Sequence, residues 1–383
     1  MNRPRAVLPT LGMLGGMSAP STSGTPLPPK AVEIRTPARL HLGMMSFGHR
    51  DVRSFGGVGV MLDRPPLQVR LRRASRLEAR GLHAERALRY AKACVDTWRL
   101  GDVGCAIEVV AAPAAHVGLG TGTQLGLAVA AGMRHLFALG SETHAPAATP
   151  HPIQEDLQPT EHDWLFDTRD SMELARVVGR GRRSCVGVYG FSRGGLIVEA
   201  GRMIRDEADA DDNVTRSFSP MVARVRLPQS WRCVLLVARD AAGISGEAER
   251  EAFKRLPPVP REITAELSRL ALLELLPAAV EGKFIEFSLA VRNYGLLAGK
   301  PFEAESSKLP YAKATADLIE LLAELGAPGC AQSSWGPAVM ACCESLDRAG
   351  SLVDRLESLG LGRHHDMVIT KFDTQGGVLR VIE

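Results

Sequence analysis

His116-Val117-Gly118-Leu119-Gly120-Thr121-Gly122-Thr123-Gln124 is the stretch around which the rest of the chain can be organised. It joins a strand-like segment, 104–111, to a long apolar segment, 125–139. Three glycines on alternate positions bare the main chain, so a ligand can come close to its N–H groups. The apolar segment reads as a buried helix. A bare turn at a helix N-terminus attracts anions, because unpaired N–H groups and the helix dipole both favour negative charge. Strand, glycine loop and helix in this order point to a phosphate or pyrophosphate held by Gly118, Leu119, Gly120, Thr121, Gly122, Thr123 and Gln124. No Gly-Lys-Ser/Thr follows, which excludes a P-loop. The Gly-x-Gly-x-x-Gly spacing of dinucleotide-binding turns is also absent.

The 383 residues are enough for two domains, and 45% hydrophobic with 23% charged is ordinary for a globular protein. A formal net charge of +3 and 5% aromatic residues give no reason to expect nucleic acid or an anionic membrane as partner. No apolar run approaches the ~20 residues of a membrane span. Residues 1–30 are rich in Pro, Gly, Ser and Thr, and their apolar patch is short and broken by glycine. They read as a disordered tail rather than a secretory leader. The seven cysteines (94, 105, 185, 233, 330, 342 and 343) include no Cys-x-x-Cys pair. Buried reduced thiols in a cytoplasmic protein are the expectation, with Cys342 and Cys343 on two faces of one strand.

Outward from the loop, the spacing predicts strands at 31–36, 40–46, 56–62, 67–73 and 104–111, and a helix at 84–98. Residues 141–168, with four prolines and His144, His151 and His162, read as a surface insertion. The irregular histidine spacing argues against a metal site there. A short helix is expected at 171–178, then Gly179-Arg180-Gly181-Arg182-Arg183-Ser184, then strands at 185–191 and 195–199. The acidic run 206–212 reads as a solvated link. Strands at 221–227, 232–238, 329–334, 338–342 and 366–372 alternate with helices at 247–255, 261–276, 284–297, 311–325 and 346–359. Without a strict βαβ rhythm, two α+β domains fit best, over residues 31–205 and 214–383.

Four glycine-marked segments then fall into order: Thr36-Pro37-Ala38-Arg39-Leu40-His41-Leu42-Gly43, the turn Gly56-Gly57-Val58-Gly59, the loop 116–124, and Gln332-Ser333-Ser334-Trp335-Gly336-Pro337. Together they resemble the GHMP kinase superfamily, whose glycine loop binds nucleotide phosphates under a second, C-terminal glycine loop. Gly-Thr-Gly-Thr-Gln in place of the usual Ser-Ser, with the arginine run 180–183, is similar to one branch, the β-ribofuranosylaminobenzene 5'-phosphate synthases. The resemblance spans about 31–383 apart from the insertion. It implies a GHMP-kinase-like two-domain α+β fold: a ribosomal protein S5 domain 2-like unit and a ferredoxin-like α/β sandwich.

The resemblance also implies chemistry. Members of that branch are taken to join phosphoribosyl pyrophosphate to 4-aminobenzoate or 4-hydroxybenzoate, with loss of carbon dioxide and pyrophosphate, at the start of tetrahydromethanopterin synthesis. Related kinases carry a base aspartate in a Ser-Gly-Ile-Asp-like segment, whereas Ser184-Cys185-Val186-Gly187 has no carboxylate. Phosphate contacts are expected from the loop, from Arg180, Arg182 and Arg183, and from Ser333, Ser334 and Gly336. Arg39, His41 and Arg193 are charge candidates for the aromatic acid. Trp335, Tyr189, Phe191 and Phe55 are candidates for an apolar wall, although for each aromatic alone ordinary core packing is the commoner role. His49 flanks the first motif. Magnesium is expected, with Asp63 as a weak ligand candidate, and no organic cofactor. Family members resemble homodimers. The alternatives are an ATP-dependent small-molecule kinase and a non-catalytic phosphate-ligand-binding protein.

Overall fold

The computed structural model describes residues 30–137, 163–204, 217–244 and 246–382. Two sheets organise it. The first strand, β1 (Ala31–Met44), pairs with β2 (Gly57–Ala74) along almost its whole length. The four strands expected at 31–73 are therefore two long ones. Register shifts at Thr36/Ala38 and at His41/Gly43 bend β1 instead of ending it. The sheet continues through β3 (Glu78–Gly81), helix α1 (Ala84–Trp98) and β4 (Gly104–Ala111). Then come α2 (Thr121–Leu136), β5 (Asp163–Leu165), α3 (Thr168–Val177), α4 (Val186–Arg193), β6 (Leu196–Glu199) and β7 (Met221–Val225).

The strand order is β3-β4-β2-β1-β12-β5, with β6 on the far half of β2 and β7 on β6. The chain returns to this sheet at its other end: β12 (Val378–Val381) registers with Val32–Arg35 of β1. The proposed boundary at 205/214 thus separates sequence segments, while β7 and β12 from the second segment are strands of the first sheet. Of the surface insertion expected at 141–168, residues up to 162 lie outside the described residues. Its last part belongs to the fold, as β5 and the start of α3. The tail 1–29, the three histidines and the acidic run 206–212 also lie outside the described residues.

One predicted strand is a helix. Residues 185–191 fold as α4, with every residue from Val186 to Ser192 buried. Its glycines serve close packing: a Cβ on Gly190 would sit 2.1 Å from Met61 Sδ. Helix α2 is apolar on all sides and lies in the core, as its sequence implies. A Cβ on Gly132 would collide with Leu71 on the sheet at 2.6 Å.

The second sheet has the order β11-β8-β10-β9, from β8 (Arg232–Ala238), β9 (Cys330–Gln332), β10 (Ala338–Cys343) and β11 (His365–Lys371). In chain order this is 4-1-3-2, the ferredoxin-like arrangement. The helices are α5 (Gly246–Arg255), α6 (Arg261–Leu270), α7 (Leu276–Glu281), α8 (Phe284–Gly299), α9 (Glu303–Ser306), α10 (Ala312–Glu324) and α11 (Leu346–Ser358). A π-helical turn at Ala271–Leu275 joins α6 to α7. Apolar residues of α10 and α11 pack on one face of this sheet. The other face shares a core with α6, α7, α8 and the Leu40–Met45 and Val58–Leu62 ends of β1 and β2. That shared core fixes the two sheets together below the glycine loops. The described cysteines, all seven, are buried and unpaired with one another.

Candidate active site

The glycine loop enters α2 through Gly118 (φ 94°) and Gly120 (φ 70°), left-handed positions that glycine takes without a Cβ penalty. Gly120 is the N-cap and provides no side-chain cap, so the first amides of α2 stay available for an outside acceptor. The second glycine loop lies directly on the first. A Cβ on Gly336 would be 2.3 Å from Gly118 N, and one on Gly118 would be 2.5 Å from the Ser333 carbonyl. Ser333 ties the seam: its hydroxyl donates to the Gly118 carbonyl (2.7 Å) and accepts from the His41 amide (3.0 Å). The Ala338 amide donates to Val117 O (3.2 Å) and the Ser334 amide to His41 O (3.0 Å). His116 (φ 64°) and Ser334 (φ 55°) flank the seam in left-handed backbone, an arrangement that costs free energy and clusters at functional sites.

A cavity of about 360 Å³ opens above this seam. Arg39, His41, Trp335, residues 118–123, Arg180, Arg182, Arg183, Ser334 and Gly336 line it, so most of the expected site residues come together. Gln124 and Ser333 stand behind the lining. Buried Gln124 donates through Nε2 to Gly187 O (2.8 Å), bracing α4 against α2.

Two expected residues are elsewhere. Arg193 bonds Thr168 Oγ1 at the far end of α4. Asp63 pairs with Arg35 at 2.8 Å. Neither lines the cavity. Three of the wall candidates are also core residues: the Tyr189 hydroxyl donates to Ser219 O (2.6 Å), Phe191 packs on Phe166, and Phe55 packs on Phe253. His49 bonds the Val259 carbonyl. Trp335 does both jobs, lining the cavity while packing edge-on against Phe253 and Phe302.

The structure adds residues that the sequence reading missed. Arg86 from α1, and Glu249 and Arg250 from α5, also line the cavity. Arg86 sits at i+2 in an ordinary amphipathic helix, and nothing in its local sequence marks it. Six arginines therefore surround the cavity, and Glu249 is the one carboxylate among its described lining residues. Glu249 pairs with Arg183 at 3.0 Å. A hydroxyl bridge links the arginine run to the loop: Arg180 donates to the Tyr90 hydroxyl, which donates to Gly122 O at 2.9 Å. The guanidinium of Arg39 covers Gly120; a Cβ there would lie 3.0 Å from Arg39 Cβ and 3.3 Å from its Nε.

Burial sets the protonation states. His41 is buried, and desolvation with help from Arg39 pushes its ring down to about 3, so it is a neutral imidazole at neutral pH. Desolvation also lowers Arg39, against the pull of Glu199 and Glu249. Such a bowl of guanidinium groups over bare amides suits a polyanion.

The residues do not fit a protein-held magnesium ion. Asp63 is outside the cavity, Glu249 is engaged by Arg183, and among the described residues no three of His, Cys, Asp and Glu cluster as metal ligands. No described helix is long and apolar enough to cross a membrane.

No family model matches the chain. The β-ribofuranosylphenol 5'-phosphate synthase of Methanothermobacter thermautotrophicus is 30% identical over 342 residues, covering 86% of this chain and 94% of that protein. The protein of the same name from Archaeoglobus fulgidus is 28% identical over 354 residues, covering 91% of this chain and all of that one. Among solved structures, mevalonate pyrophosphate decarboxylase from Streptococcus pyogenes superposes with a TM-score of 0.60 at 13% identity, over 91% of this chain and 98% of that one. Homoserine kinase from Cytophaga hutchinsonii gives 0.55 at 14% identity, over 95% and 100%. These structural likenesses establish the GHMP kinase-like fold. With relatives matched along nearly their full length, the chain belongs to the β-ribofuranosylphenol 5'-phosphate synthase family of enzymes.

Proposed function

We propose that the protein joins phosphoribosyl pyrophosphate to 4-hydroxybenzoate, releasing carbon dioxide and pyrophosphate. The hydroxy acid is preferred over 4-aminobenzoate because the relatives' names specify a ribofuranosylphenol product. The observation that carries the reading is the cavity itself: six arginines around the bare N-terminus of α2. In the bond-breaking step the anomeric carbon releases the diphosphate, and the electron pair leaves with its oxygen. Arg39, Arg86 and Arg180, grouped around Gly120 and Gly122, neutralise that charge together with the loop amides. Arg182, Arg183 and Arg250 line the same cavity and would face the 5'-phosphate, Arg183 while paired with Glu249.

The ring carbon bearing the carboxylate supplies the pair for the new C–C bond. Cleavage of the C–CO₂ bond then returns a pair to the ring and restores aromaticity. No ring proton has to be removed, which agrees with a cavity whose one described lining carboxylate is tied to Arg183. Met44, Ile244 and Trp335 supply the apolar wall for the ring. No step depends on a protein ligand for magnesium; held by the diphosphate itself, the ion would supply further neutralisation of the leaving group's charge.

The test is incubation with phosphoribosyl pyrophosphate, magnesium and carboxyl-labelled 4-hydroxybenzoate. Labelled carbon dioxide should appear one for one with pyrophosphate. No label release together with ATP consumption in the presence of a small alcohol would establish the kinase reading instead. Neither reaction, with a melting shift on phosphoribosyl pyrophosphate, would leave a binding protein.

A further inference from the structure

Glu249 is the one carboxylate among the described residues lining a cavity that six arginines surround. It lies on α5, five residues after Ile244 and one turn before Phe253. That spacing puts Glu249 and Phe253 on one face of the helix. Arg183 meets both: it pairs with Glu249 at 3.0 Å and lies over the Phe253 ring at 4.8 Å. Phe253 in turn packs edge-on against Trp335, with ring centroids 6.1 Å apart. Ile244 and Trp335 belong to the cavity's apolar wall. The carboxylate therefore stands beside that wall, where an aromatic ring would lie.

One oxygen of Glu249 is engaged and the other is open. Arg183 donates to Oε2, while Oε1 has no hydrogen-bond partner among the described residues. The Glu249 side chain is 21% exposed and that of Arg183 19%. In such a half-buried place a charge-assisted pair fixes the carboxylate, and its open oxygen calls for a donor. The phosphates and the carboxylate of the substrates carry its own sign and are repelled. What complements Oε1 is a neutral hydroxyl, and beside an apolar wall that hydroxyl is the one carried by the ring.

Resting on the reading of this cavity as the synthase site, we propose that Glu249 is a catalytic base that takes the phenolic proton of 4-hydroxybenzoate during C–C bond formation. Like-charge repulsion turns the ring's carboxylate away from Glu249 and so toward the sugar, and the hydroxyl points to Oε1. As the ring carbon gives its pair to the anomeric carbon, the ring is left electron-poor. The hydroxyl oxygen makes up the deficit with a lone pair, and its O–H bond becomes strongly acidic. Its proton passes to Glu249, leaving a neutral dienone. When the C–CO₂ bond breaks, its pair returns to the ring and on to the dienone oxygen, which takes the proton back. Glu249 ends as it began, and no ring proton moves. Arg183 orients the base, as a third group does in other activated sites.

The test is Glu249→Gln, which keeps an acceptor for Arg183, assayed by labelled carbon dioxide release across a range of pH. At about pH 7 kcat should fall at least 100-fold, the size of a lost general base, with KM for phosphoribosyl pyrophosphate within about threefold. The free phenol ionises near pH 10 and then needs no base. The deficit should therefore shrink toward tenfold per pH unit between about pH 7 and 10, while the wild-type rate stays nearly flat. A deficit of equal size at every pH, as a bond to a ribose hydroxyl or a purely structural role would give, overturns the proposal. So does a loss below about threefold, or a wild-type rate that itself climbs tenfold per pH unit, a result that needs no variant. Absence of label release by the wild type at every pH instead overturns the synthase reading beneath it.

Discussion

Alanine at Gly336 strikes the seam between the two glycine loops. Its Cβ would lie 2.3 Å from Gly118 N and equally close to the Val117 carbonyl carbon and oxygen, all backbone atoms that no rotamer change can clear. Reaching an ordinary contact of 3.4 Å requires the loops to part by about 1 Å. The bonds from Ala338 N to Val117 O and from Ser333 Oγ to Gly118 O stretch with them. Overpacking of this kind costs about 1–3 kcal/mol, less than the ~5–15 kcal/mol that holds a typical domain folded. The protein should therefore fold with a displaced phosphate loop. A misplacement of ~1 Å lowers rate by about 100-fold, roughly 2.7 kcal/mol of transition-state stabilisation. The assay is kcat/KM for phosphoribosyl pyrophosphate by labelled carbon dioxide release, with a thermal melt alongside. A value within about threefold of the wild type, in a variant that melts normally, would refute the idea that the seam sets the loop's geometry.

Gly350 is the contrasting case: it lies inside α11 with nothing within 4 Å of a Cβ, so Gly350→Ala should raise stability by about 1 kcal/mol in a denaturant titration. Tyr90→Phe removes the hydroxyl between Arg180 and Gly122 O, and phosphoribosyl pyrophosphate binding should weaken about five- to tenfold by calorimetry. Arg193→Ala and Asp63→Asn lie outside the cavity and should keep kcat/KM within about twofold. Burial raises Glu199 from 4.5 to about 7, so its native form holds a proton that the unfolded chain has lost. Its contribution is present at acid pH and fades as pH rises through about 7; Glu199→Gln should flatten that part of the stability profile.

The phosphate loop was legible because its signal is local: glycines at fixed spacing between a strand and an apolar helix. The arginine run 180–183 and the loop 332–337 were legible for the same reason. Arg86, Glu249 and Arg250 were not, since they reach the cavity from helices whose sequence records only amphipathic spacing. Helix α4 was misread because burial on every side erases the 3.6-residue rhythm, and Val186, Val188, Tyr189 and Phe191 are good strand formers in isolation. Arg193 and Asp63 were drawn toward the site by chemistry alone, with no means of knowing that α4 directs one away and that Arg35 claims the other.

The pairing of β12 with β1 has a consequence for synthesis. Val32–Arg35 must wait for Val378–Val381 to leave the ribosome before that sheet edge is covered. At ordinary translation speeds the delay is on the order of tens of seconds. Throughout it the nascent chain shows an unpaired strand edge, the kind of template on which chains stick to one another. High-level expression should therefore favour aggregates of partly made chains, and slower translation or a holdase chaperone should improve the yield.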